Sequence, residues 1–160
     1  MSEVLLQQLK KYAADANGKF TVLRKGEVTV DVDQGNVKGF ISHIVSDLRI
    51  RHLSTMTGLD LGQNIGIIYH FSRGKDMIDV KTIVPKTQPT AVSIVDIIPG
   101  AILYEMEIHD MFGANFEGNP WMDRKLLLPD TWPADLPPPL LKSSKPDEIR
   151  KRLHLEVEGK

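Results

Sequence analysis

Apolar positions along the chain change their period several times, and each change marks an element. Leu5, Leu9, Tyr12 and Ala16 recur every three to four residues behind Ser2, whose hydroxyl suits an N-cap, so a first helix is expected from Ser2 to near Gly18. Phe20 to Leu23 and Val28 to Val32 read as two short strands around Lys25 and Gly26, the second with strict alternation at Val28, Val30 and Val32. After Gln34-Gly35-Asn36 the helical period returns. Val37, Phe40, Ile41, Ile44, Val45 and Leu48 form the apolar stripe of a helix lying on a sheet. Leu53 to Thr57, Ile65 to Phe71 and Met77 to Val84 follow as strands, the last two joined as a hairpin through Ser72 to Asp76. The order αββαβββ, without strict β-α-β alternation, predicts an α+β fold of two layers, a helix-covered sheet whose strand order the sequence leaves open.

Beyond Pro85 the pattern breaks. Pro85 and Pro89 mark a loop, and Ala91 to Ile97 suits a short helical turn. Pro99 sits where a first-turn proline would start a helix from Gly100 to Phe112, which Gly113 would end as its C-cap. Seven of the ten prolines lie from Pro120 onward, so an extended arm is predicted there, with Ser144 to Leu153 as a closing helix. The expected division is an α+β domain over residues 1–113 and an arm over 114–160 that packs on partner subunits. Gly58, Gly62 and Gly66, interspersed with Asp60, Gln63 and Asn64, read as a flexible loop between strands.

Composition narrows the chemistry. At 160 residues, with 41% hydrophobic and 26% charged side chains, the chain can build its own core. A net charge of -1 gives no field for nucleic acid. With no cysteine, disulfides, thiolate zinc sites, thiol nucleophiles and cysteine-held iron–sulfur clusters are excluded from this sequence. No stretch reaches the ~18 apolar residues of a membrane span, and the first eighteen residues lack a signal-peptide core. A soluble intracellular protein is expected, any membrane attachment being through a partner.

Candidate chemistry concentrates between Tyr104 and Asp130. Glu105 and His109, four apart, share a helix face with Phe112, while Leu103, Glu107, Asp110 and Ala114 lie along another. A Glu/His pair suits a metal or acid–base chemistry, but the second histidine of H-E-x-x-H is missing and His43, His52, His70 and His154 have no ligand spacing. An acid-rich face paired with a neighbouring base is the plainer reading. Glu105, Glu107 and Asp110 call for cations, either Arg124 and Lys125 of the same chain or arginines of a partner protein, and the sequence leaves both open. The G-x-x-x-x-G spacing from Gly113 to Gly118 is followed by Asn119-Pro120 instead of Lys and Ser/Thr, so it reads as a turn. Ser42, Ser46, Ser54, Ser72 and Ser93 sit in no nucleophile-elbow context, and sequence spacing assembles no catalytic triad. Trp121, Trp132, Phe112, Phe116 and Leu126 to Leu128 must either pack back on the sheet or form an interface. The polyproline run, cheap in entropy to dock, favours an interface.

Glu105-Met106-Glu107, Asp110-Met111-Phe112-Gly113, Phe116 to Pro120, and Arg124 to Leu128 with Pro129-Asp130 together resemble the thirty-kilodalton subunit family of respiratory complex I, also found in membrane-bound energy-converting hydrogenases. The likeness is specific over about twenty-seven residues and extends weakly upstream through Tyr69-His70-Phe71 and Ser93 to Pro99. Departures are Met106 for the arginine between the glutamates, Asn119 for the turn histidine, Asp123 for a basic residue, one extra residue before Pro129, and Leu136 to Lys142 in place of a Pro-Leu-Arg-Lys-Asp run. They lean toward a hydrogenase-type or archaeal branch.

The resemblance implies a non-catalytic subunit of the hydrophilic arm of an electron-transporting, ion-translocating complex, peripheral on the cytoplasmic side of the membrane. Such a subunit binds no cofactor or metal itself and packs against a large catalytic subunit and a cluster-bearing small subunit. Iron–sulfur clusters, and a nickel–iron centre in a hydrogenase type, would belong to those partners. Glu105, Glu107, Asp110, Phe112, Gly113, Pro120 and Arg124 carry over as structural or interface positions, joined by Trp121 and Trp132 from the residue reading. The competing expectation is a stand-alone small enzyme using Glu105, His109 and Asp110 as acid, base or metal ligands.

Overall fold

The apolar stripe from Val37 to Leu48 does what its period requires. In the computed structural model, which describes residues 1–153, Val37, Phe40, Ile41 and Ile44 are all buried on helix α2 (Gln34–Ser46). Ahead of it come α1 (Glu3–Asp15), where Ser2 Oγ accepts the Leu5 N–H at 3.3 Å, and the hairpin β1 (Lys19–Arg24) and β2 (Glu27–Asp31). Strands β3 (His52–Asp60), β4 (Asn64–Arg73) and β5 (Asp76–Pro85) form an antiparallel meander. The predicted order αββαβββ is therefore observed, and the fold is α+β. His154 lies outside the described residues.

The five strands lie in the order β1-β2-β5-β4-β3, with β2 and β5 parallel and the other pairs antiparallel. Parallel neighbours need a crossover, and α2 together with the β3–β4 hairpin supplies it. Register places Val30, Val80, Tyr69 and Met56 in one row on the helix-covered face. Thr82 of the same face bonds Gln34 of α2, and Phe112 of helix α3 (Ala101–Phe112) packs on Gly58 of β3. One apolar core thus lies between a sheet and three helices.

Several sequence expectations change. The glycine-rich stretch is no flexible loop: Gly58 and Gly66 lie within β3 and β4, and only residues 61–63 turn, with Gly62 at φ 85°. A Cβ on Gly58 would stand 2.5 Å from the Phe112 ring, so a strand glycine is what lets α3 approach. Ala91 to Ile97 is helical only at its end, where Ile97 and Ile98 N–H groups reach Ile94 O; its start belongs to β6 (Thr90–Val92). Strand β6 pairs in parallel with β7 (Asn115–Glu117), an unpredicted strand, the two joined through α3. Pro99 precedes the N-cap Gly100, one position outside the expected first turn. Gly113 adopts the left-handed conformation at φ 78°, as a C-cap glycine should.

From residue 114 the chain stays on its own domain for some distance. Ala114, Phe116 and Leu136 are buried, the Leu140 N–H donates to Met111 O at 3.0 Å, and the Lys142 N–H donates to Asp60 Oδ2 at 2.8 Å. The closing helix α4 (Pro146–Arg152) has no buried residue.

Candidate docking corner around helix α3

Helix α3 carries two buried carboxylates. Glu105 is fully buried and Asp110 is 1% exposed, whereas Glu107 and Leu103 face solvent. Of the two alternatives the sequence leaves open, neutralisation by Arg124 and Lys125 is not what satisfies the two buried carboxylates. Glu105 Oε1 accepts the Ile94 N–H at 2.8 Å, and its Oε2 accepts Ser93 Oγ–H at 2.8 Å and Asn119 Nδ2–H at 2.9 Å. Burial pushes its carboxyl pKa up, against the downward pull of these three donors. Among the described residues its partners are these directed N–H and O–H dipoles and not a cation.

Asp110 uses backbone alone. Its Oδ2 accepts the N–H groups of Leu126, Leu127 and Leu128 at 2.8, 2.8 and 3.1 Å, so three successive amides curl around one oxygen as an anion nest. Lys125 Nζ stands 3.9 Å from the other oxygen, outside hydrogen-bond range. Arg124 turns away, 5.8 Å over the Trp121 ring and 4.0 Å from Asp123.

The consequence is a fixed backbone displaying apolar side chains. Trp121, Leu126 and Leu127 are 39%, 38% and 57% exposed on a loop tied to α3. Phe116 and Phe112 pack inward, and Trp132 is half-buried with its Nε1–H on Leu136 O. The aromatic set therefore divides between core and surface. Pro120 is exposed, just after the buried Asn119. His109 joins neither acid: its Nδ1 lies 3.0 Å from Ala114 O.

Sequence reasoning missed three contributors. Asn119 stood out only as a departure from the family turn, yet its side chain bonds Glu105, Ile102 O and the Trp121 N–H, clamping the turn to α3. Ser93 gave no signal of its own. Asp60, read as a loop residue, accepts from Lys86 Nζ, the Gly62 N–H and the Lys142 N–H; the Lys86 bond first, then the two amides, hold its pKa far below the usual carboxylate range.

A hydrogen-bonded row also stands where no triad was expected. On the face opposite the helices, Asp79 Oδ1 lies 2.8 Å from His70 Nδ1, and His70 Nε2 lies 3.0 Å from Thr57 Oγ1. A neutral imidazole with its proton on Nδ1 satisfies both contacts. The row joins β5, β4 and β3 as a cross-strand ladder.

The two-layer fold, with its carboxylate-bearing third helix and pinned loop, defines a class of α+β domain. Residues 30–149 match the family described as respiratory-chain NADH dehydrogenase, 30 Kd subunit, and the chain belongs to that family. An NADH-quinone oxidoreductase subunit from Chloroherpeton thalassium is 32% identical over 123 residues, 74% of this chain and 50% of that protein. The chain thus spans about half the length of this curated relative. A chain of the membrane-bound sulfane sulfur reductase, an archaeal respiratory membrane complex, shares the fold at a TM-score of 0.80 and 22% identity, covering 99% of this chain and 96% of that one. The trypsin-resistant fragment of Nqo5 superposes with a TM-score of 0.63 at 22% identity, over 72% of this chain and 97% of its own. No described helix is long and apolar enough to cross a membrane.

Proposed function

We propose that this chain is a non-catalytic structural subunit in the hydrophilic arm of a complex-I-like membrane-bound oxidoreductase, docking a large catalytic subunit and a cluster-bearing small subunit. The observation that carries this reading is the loop holding Trp121, Leu126 and Leu127 in solvent on a backbone fixed by Asn119 at Trp121 and by Asp110 at the leucines. A rigid apolar patch loses little entropy on docking, and aromatic anchors are what interfaces use. Membership of the 30 Kd subunit family points the same way. The acid–base reading loses support because Glu105 is committed to donors of its own chain and Asp110 Oδ2 to three amides.

In this reading the redox centres sit in partners: iron–sulfur clusters and, in a hydrogenase-type complex, a nickel–iron site. The chain reaches the cytoplasmic side of the membrane through those partners. Met106, Asn119 and Asp123 favour a hydrogenase-type or archaeal branch. Affinity purification of the tagged chain from detergent-solubilised membranes tests the proposal. Recovery of an iron–sulfur subunit and a large redox subunit is expected, and Arg124→Ala should lower that recovery more than it lowers the thermal midpoint of the isolated chain. Isolation as a metal-loaded, catalytically active monomer would sink the idea.

A further inference from the structure

A cavity of about 340 Å³ is lined by His109, Asp110, Lys125, Trp132, Pro133 and Pro138. Its lining is unusual in containing a carboxylate that is half satisfied. Asp110 is 1% exposed, and while its Oδ2 takes three amides, its Oδ1 has no hydrogen-bond partner among the described residues. The nearest cation, Lys125 Nζ, is 3.9 Å away on a side chain still 38% exposed. A buried carboxylate oxygen without a hydrogen bond is costly, so the site suits a donor that the described residues do not place there.

The surroundings select the donor. Trp132 is anchored by its Nε1–H to Leu136 O, so its ring is held in place at the cavity. The prolines offer apolar rings and no N–H that would compete for Asp110. A planar, weakly hydrated cation with several fixed donors suits such a wall, and a guanidinium meets it better than an ammonium, which is more strongly hydrated and does not stack. We propose that this cavity receives an arginine side chain of a partner subunit, its guanidinium donating to Asp110 Oδ1 and lying against Trp132 while Lys125 moves outward. The inference rests on the docking reading and adds the chemistry of one contact to it.

Two measurements test it separately from docking itself. In ¹⁵N–¹H spectra of the isolated full chain, N-acetyl-arginine amide should shift the Trp132 indole and the Leu126 to Leu128 amides, while the neutral isostere N-acetyl-citrulline amide should not. Lys125→Met, which removes the competing cation without touching the nest, should lower the half-saturating arginine amide concentration several-fold. Equal shifts from the two amides, or none from arginine, would overturn the proposal while leaving docking intact. In the purified complex, phenylglyoxal footprinting should find one arginine of a partner subunit protected with the wild-type chain and modified with Trp132→Ala. If no partner arginine changes its protection, or if the protected arginine belongs to a second copy of this chain, the assignment fails.

Discussion

Helices α2 and α3 are nearly equal in length, thirteen and twelve residues, and they hold the molecule together by different means. Helix α2 buries Val37, Phe40, Ile41 and Ile44, an apolar stripe with no specific partner required at any position. Helix α3 buries Ala101, Met106 and Ile108 together with Glu105 and Asp110; Glu105 binds Ser93-Ile94 and Asn119, and Asp110 binds the 126–128 backbone. The first arrangement fixes a layer; the second fixes loops. Burial of apolar area is tolerant of shape, whereas a buried carboxylate is stable only where its donors stand, so it dictates their positions.

The largest effect expected from breaking this contrast is at Phe40, 1% exposed on α2. Phe40→Ala should cost about 3–5 kcal/mol and lower the cooperative unfolding midpoint as a whole, read by denaturant titration. Asp110→Ala comes next, at roughly 2 kcal/mol, because water can replace part of its bonds to the half-exposed Leu126–Leu128 backbone. Its signature is local: amides 126–128 lose hydrogen-exchange protection while β4 and β5 keep theirs. Loss of protection across the sheet would show that the acid supports the core as well.

Asn119→Ala should cost on the order of 1 kcal/mol and free the turn before Trp121. Glu105 gives a pH dependence. Its folded pKa lies above the unfolded one because of burial, so its favourable contribution is present in full below about pH 4 and is lost as pH rises through the raised value. The difference in thermal midpoint between wild type and Glu105→Gln should therefore shrink from acid to neutral pH; a difference that grows would reverse the assignment. Asp60 acts in the opposite sense, since a carboxyl held low stabilises above about pH 4 and loses that contribution on acidification. Smallest of all is Leu127→Ala, expected within ~0.5 kcal/mol of wild type in stability, its effect appearing in partner recovery from membranes.

Much of the layer structure was legible because it is periodic. The α2 stripe and the β2 alternation announce which side faces a core, and Ser2 and Gly113 mark helix ends by local chemistry. Strands β6 and β7 were not legible: at three residues each they carry no period, and parallel pairing across a helix joins residues far apart in sequence. The acids of α3 were visible as a cluster, but the amide and hydroxyl donors that satisfy them were not. A sequence shows charges and hides backbone amides, and the donors to Asp110 are the amides of three leucines.

By itself the sequence determined the two-layer α+β class, the order αββαβββ of the first seven elements and the absence of cysteine chemistry, because these follow from period, turn residues and composition; the family resemblance came from the motif between Tyr104 and Asp130. Only the tertiary structure decided the strand order, the parallel β2–β5 contact and the roles of Ser93, Asn119 and Asp60. It also decided which oxygens of the buried acids are satisfied. Hydrogen bonds are directional and short, so whether a buried carboxylate is a clamp, a cost or a receptor depends on atoms that meet only when the chain has folded.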